Sequence, residues 1–124
     1  MRLGIYPAVC RGTVKGGIEV TPNEYQRKAM RTATGKCYDA TNAALGIAGE
    51  AGEVADEVKK STFQGHDWNP SRVVEELGDV LWYVALMADL LNVPLEYVMQ
   101  TNIEKLERRY PDGFSNEASV NRSE

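Results

Sequence analysis

Residues 45–60 read LGIAGEAGEVADEVKK, with glycines at 46, 49 and 52 set beside glutamates at 50, 53 and 57. Apolar or small residues at 44, 47, 48, 51, 54, 55 and 58 recur at helical spacing, so the stretch lies in a helix predicted over about Asp39 to Ser61. Each glycine inside a helix costs up to about 1 kcal/mol relative to alanine, and the loss must be offset. These glycines border the acidic edge of the helix, where they leave space for close packing and a ligand.

The neighbouring segments are helical too. Thr21, Pro22 and Glu24 form a cap, a first-turn proline and the far side of a capping box, which predicts a helix from about Pro22 to Thr34 ended by Gly35. The polar loop STFQGHDWNP at 61–70 leads into VVEELGDVLWYVALMADLL at 73–91, opened by Pro70 behind Asn69 or Asp67 and stopped at Asn92. Pro94 opens a fourth helix, PLEYVMQTNIEKLERRY, which Pro111 and Gly113 terminate. The tail SNEASVNRSE is polar and reads as loosely held, with Phe114 able to dock. No segment alternates as a strand does, so the expectation is an all-α, four-helix bundle-like fold over residues 21–124. Residues 1–20 have no helical period and no signal-peptide core. Lys15-Gly16-Gly17 can be encoded by a ribosome-binding sequence and Val20 by a GTG start, so natural translation is expected to begin at Val20.

The 124 residues are enough for one domain with one core, and the net charge of −4 provides no basic footprint for nucleic acid. The two cysteines, Cys10 and Cys37, have neither zinc-ribbon spacing nor a disulfide framework, which fits a reducing cytoplasm. The apolar run at 80–91 is broken by Asp89 and is far shorter than the roughly 20 residues of a membrane span.

The acids carry the chemistry. Glu50 and Glu53 stand three apart on one predicted helix, and Glu76 and Asp79 three apart on the next. In an antiparallel hairpin about the 62–69 loop, at about 1.5 Å per residue, the pairs lie about 14 Å and about 11 Å from the loop, so the four acids meet at one level. The second of these helices is apolar nearly all round and therefore buried, and carboxylates crowded in such a place require a cation. An all-oxygen donor set selects a hard ion, Mg²⁺ first, with Mn²⁺ as substitute. Zinc would want His or Cys, and the Glu-x-x-His motif of di-iron bundles is absent, since Phe63 stands three before the single histidine, His66.

GIAGEAGEVADEVKK, EELGDVLWYVALMADLL and NIEKLERRYPDGF, in that order, resemble the MazG-like all-α nucleoside triphosphate pyrophosphohydrolases, specifically their small single-domain members, over about residues 21–122. The family signature is Glu-Glu-x-x-Glu followed by Glu-x-x-Asp. Glu50, Glu53, Glu76 and Asp79 match it, and Gly49 replaces its first acid. The resemblance implies that the four acids ligate Mg²⁺, and that a (d)NTP is cleaved between its α and β phosphates to a monophosphate and pyrophosphate. Glu53 or a neighbouring ligand would then act as general base.

The same resemblance makes Asn102 and Lys105 phosphate handles, with Arg109 on the same edge of the fourth helix. Lys60 and Lys59 lie within reach of a triphosphate, and Tyr83 is placed to stack on base or sugar. Trp68 and His66 could close over the nucleotide, Tyr25 and Gln26 could contact the base, and Trp82 points away from the acids as packing. An all-apolar third helix needs cover from another subunit, so a homodimer or homotetramer is expected, with the nucleotide pocket near the interface. The family looks like a set of housecleaning enzymes for nucleotide pools. Two other readings are a phosphoribosyl-ATP pyrophosphohydrolase on the same fold and a catalytically silent bundle that binds nucleotide or a partner.

Overall fold

The computed structural model describes residues 20–121, so Cys10 and the expected start-site leader lie outside the described residues. Helix α1 spans Pro22–Met30, α2 Ala40–Phe63, α3 Pro70–Leu90, α4 Leu95–Arg109 and α5 Asn116–Val120, with a short 3₁₀ turn at Gly35–Cys37. There is no strand among the described residues, and the fold is all-α as expected.

Helices α1, α2 and α3 each start on a side-chain cap that the sequence supplies, whereas α4 starts at Pro94 without one. The Thr21 hydroxyl accepts the Glu24 N–H at 3.2 Å, Asp39 accepts the N–H groups of Thr41 and Asn42, and Asn69 accepts that of Arg72. These bonds satisfy donors that a helix start leaves open. Helix α1 ends four residues before the predicted Thr34, where the backbone tightens into bonds such as Thr32 N–H to Ala29 C=O and the Thr32 hydroxyl donates to the same carbonyl at 2.7 Å. The tail holds the short α5, capped by the Ser115 hydroxyl on Ala118 N–H. Phe114 meets the Tyr110 ring at 5.4 Å yet stays exposed.

Helices α2 and α3 form the principal hairpin, and α1 packs across α3 and α4. Asn92, at φ 56°, turns the chain between α3 and α4, which meet at a bend of 100°. Gln26 of α1 fixes that corner: its amide donates to Val93 C=O at 3.1 Å and accepts the Leu95 N–H at 2.9 Å. Asn23 and Glu96 exchange a second pair of bonds beside it. The expectation that Gln26 contacts a base gives way here, since both ends of its buried amide are engaged in holding the corner.

Among the described residues the buried apolar ones are few: Ala43, Ala85, Leu86, Ala88 and Leu95. On α3, Val74, Leu77 and Leu81 remain 59%, 52% and 42% exposed, so one flank of the apolar helix lacks cover within the chain. Alanines 44, 48, 51 and 55 on α2 are exposed as well.

Candidate metal and phosphate site

The α2–α3 hairpin brings three of the four predicted acids together. Glu50, Glu76 and Asp79 each offer a carboxylate oxygen, and these atoms lie within 4.8 Å of one another. Glu50 and Glu76 are half-buried and Asp79 is exposed. The crowding acts on Glu50, whose carboxyl is pushed above its ordinary value by partial desolvation first and then by the charges of Asp79, Glu76 and Glu53. An all-carboxylate set of this kind suits a hard divalent cation of the Mg²⁺ class.

Glu53 stands outside the converging trio and is exposed, although its charge is felt at Glu50. A residue three further along an α-helix is turned by about 60° from its predecessor, whereas one seven further is turned by only about 20°. Glu57 is accordingly the acid that continues the Glu50 line, half-buried and 3.9 Å from Arg72.

The glycines divide into two kinds. A Cβ at Gly46 would overlap the ring of Tyr83, so this glycine lets an aromatic side chain of α3 lie directly on the α2 backbone. Gly49 and Gly52 have nothing within 4 Å of their Cβ positions, which leaves open space beside Glu50 and Glu53. Tyr83 joins Glu50, Asp79 and Trp82 in lining an open cavity of about 360 Å³. Trp82 was expected to point away from the acids. Instead its ring meets Tyr83 edge-on at 4.9 Å and its indole N–H donates to Thr32 at 2.8 Å, which stands it at the wall of the acidic cavity and ties the turn after α1 to α3. Tyr25 of α1 also faces the acids, its phenol pushed upward by burial and by the charge of Asp79.

Toward the loop the sign of charge changes. Lys60 is held by Asp56 at 2.8 Å and Glu57 at 3.1 Å, and Lys59 pairs with Asp56 too, which draws the Asp56 carboxyl down to about 2. His66 and Lys60 share a second cavity of about 270 Å³ with Glu57, Asp67, Asn69 and Arg72. Trp68, in the same loop, is 37% exposed. Sequence reasoning passed over Arg72, although its position four before Glu76 places the two on one helical face.

Asn102, Lys105 and Arg109 stand apart from this site within the chain. With α4 leaving α3 at a 100° bend, about 18 Å of α3 separates Asp79 from the corner and about 15 Å of α4 separates the corner from Lys105, at about 1.5 Å per residue. Asn102 and Lys105 are exposed and Arg109 is half-buried.

Comparison with known proteins agrees with this arrangement. The MazG nucleotide pyrophosphohydrolase domain matches residues 39–114, from the cap of α2 to the residue after Gly113. The chain is similar to the Gene 37 protein of Mycobacterium phage L5, with 41% identity over 83 residues that cover 63% of this chain and 72% of that protein. It is also similar to the uncharacterized protein YvdC of Bacillus subtilis (strain 168), with 45% identity over 38 residues that cover 31% of this chain and 36% of that protein. No solved structure matches significantly. With the family's domain covering the hairpin, its acids and α4, the chain belongs to the MazG nucleotide pyrophosphohydrolase family.

Proposed function

We propose that this protein hydrolyses a (d)NTP between its α and β phosphates, releasing a nucleoside monophosphate and pyrophosphate. The observation that carries the reading is the convergence of Glu50, Glu76 and Asp79 on one point in the α2–α3 groove of a MazG domain. These three would hold Mg²⁺, or Mn²⁺ in its place, with Glu53, the fourth acid expected to ligate it, exposed beside them. The ion polarises phosphate oxygens and lowers the pKa of a bound water.

Glu53 is free of the converging trio and lies at its edge, so it is the residue proposed to take the proton from the attacking water. The water oxygen bonds to Pα, the bond from Pα to the bridging oxygen breaks, and pyrophosphate leaves with the electron pair. Tyr83, fixed against Gly46, offers the nucleoside an aromatic face, and Lys60 meets the phosphates at the loop end. Asn102, Lys105 and Arg109 would reach a triphosphate from a second subunit, because α4 leads them away from the acids of their own chain. The uncovered flank of α3 gives that subunit its seat, as a homodimer or homotetramer. The proposed setting is housecleaning of the nucleotide pool in the cytoplasm.

The test is a product assay with Mg²⁺ and a panel of standard and modified NTPs and dNTPs, resolved by chromatography. Monophosphate with pyrophosphate supports the reading. Diphosphate with orthophosphate refutes it, and turnover of phosphoribosyl-ATP alone would replace the substrate.

A further inference from the structure

Arg72 is a cation whose hydrogen-bonding capacity is uncommitted. Its guanidinium stands 3.9 Å from Glu57, 3.8 Å from Glu75 and 3.8 Å from Glu76. A charge-assisted N–H···O bond is about 2.7–2.9 Å long, so none of these pairs is one. Arg72 thus lies between three carboxylates, one of them in the converging trio, with its side chain 53% exposed. Lys60 beside it is different, since it holds Asp56 and Glu57 at 2.8 Å and 3.1 Å.

The surroundings of Arg72 are built rather than incidental. The His66 N–H donates to the Lys60 carbonyl at 3.2 Å, and Gly65 takes a φ of +72°, so the loop folds back and places His66 over the end of α2. His66, Lys60 and Arg72 thereby line one cavity of about 270 Å³, against the two carboxylates of Glu57 and Asp67. On the other side of the trio lies the cavity of Trp82 and Tyr83. Along α3, at about 1.5 Å per residue, Arg72 is about 6 Å on the loop side of Glu76 and Tyr83 about 6 Å beyond Asp79. One end of the groove offers aromatic faces and the other an exposed guanidinium, with the acids between them.

We infer that the Arg72 cavity holds the pyrophosphate end of the substrate, so that the nucleotide lies along the α2–α3 groove with its base toward Tyr83 and its terminal phosphates toward the 64–69 loop. The inference rests on the proposed pyrophosphohydrolase reading and adds to it the residue that takes the leaving group. Glu76, were it to hold the cation, would be drawn from Arg72, and the guanidinium could then take phosphate oxygens in two parallel bonds, a geometry for which a lysine is no equivalent. Arg72 is therefore a substrate-binding residue for the leaving group.

The experiment is calorimetric titration of the full chain, in Mg²⁺, with inorganic pyrophosphate and separately with a nucleoside monophosphate, for wild type, Arg72→Gln and Arg72→Lys. The expected result is a pyrophosphate Kd raised roughly 10- to 100-fold by Arg72→Gln, the worth of hydrogen bonds to a charged group, with part of the loss restored by Arg72→Lys and the monophosphate Kd unchanged within about twofold. An unchanged pyrophosphate Kd, or equal losses for both ligands, overturns the inference. The two readings fail separately. Arg72-dependent pyrophosphate binding without hydrolysis of any nucleotide sustains this cavity and removes the activity, and hydrolysis with Arg72-independent pyrophosphate binding does the reverse.

Discussion

Gly46 and Gly49 are three residues apart on one helix, and the structure gives them opposite roles. A Cβ at Gly46 would enter the Tyr83 ring, so Gly46→Ala should destabilise the protein by about 1–3 kcal/mol, the usual penalty for overpacking, as read from the urea midpoint. Gly49 meets nothing, and Gly49→Ala should escape that penalty. The protonation of Glu50 belongs to the same scale. Because its carboxyl is raised in the fold, its charge opposes folding above that raised pKa, and the opposition lifts as pH falls through it. Asp56 and Glu24 lie below their ordinary values of 3.8 and 4.5, so their stabilising pairs persist above those values and are lost only in stronger acid. Metal-free protein should therefore melt no lower at pH 5 than at pH 7. Mg²⁺ should raise the melting temperature more at pH 7, where protons compete less for the raised Glu50 carboxyl than at pH 5. Equal Mg²⁺ shifts at both values would place the ion away from Glu50.

The elements were largely legible because their boundaries are chemical. Thr21, Asp39 and Asn69 each cap the helix that follows, Pro22 and Pro70 open two of them, and Asn92 closes α3. What escaped was set by tertiary contact or by length. The early end of α1 depends on Thr32, which bonds back to Ala29 and receives the Trp82 indole from 50 residues away. The short α5 carries too little periodicity to read, and the only signal was the Ser115 cap. At the site, equal spacing on the two helices brought Glu50, Glu76 and Asp79 together, and nothing in the spacing explains why Glu53 stays outside, since Glu76 and Asp79 have the same three-residue separation and both converge. The α1 corner gives the prediction proper to this scale. Gln26→Leu keeps the apolar volume but orphans Val93 C=O and Leu95 N–H, at about 1–3 kcal/mol for each buried group left unpaired, which a denaturant titration would measure.

At the scale of the molecule, a chain with five buried apolar residues among those described and a bare flank of Val74, Leu77 and Leu81 on its central helix is expected to assemble. Light scattering after gel filtration should give two or four times the 13.7 kDa chain mass, and Leu81→Glu should shift it toward a single chain. If Asn102, Lys105 and Arg109 act across that interface, the same variant should lose turnover in step with mass. The central claim stands on the acids themselves. Binding of Mn²⁺ by wild type and Asp79→Asn, followed by electron paramagnetic resonance with turnover assayed on the same samples, tests it most directly. The account predicts that Asp79→Asn weakens Mn²⁺ binding about tenfold or more and abolishes most turnover in a protein that stays folded, since removing one charge relieves the crowding. Unchanged Mn²⁺ affinity and unchanged turnover in that variant would contradict it.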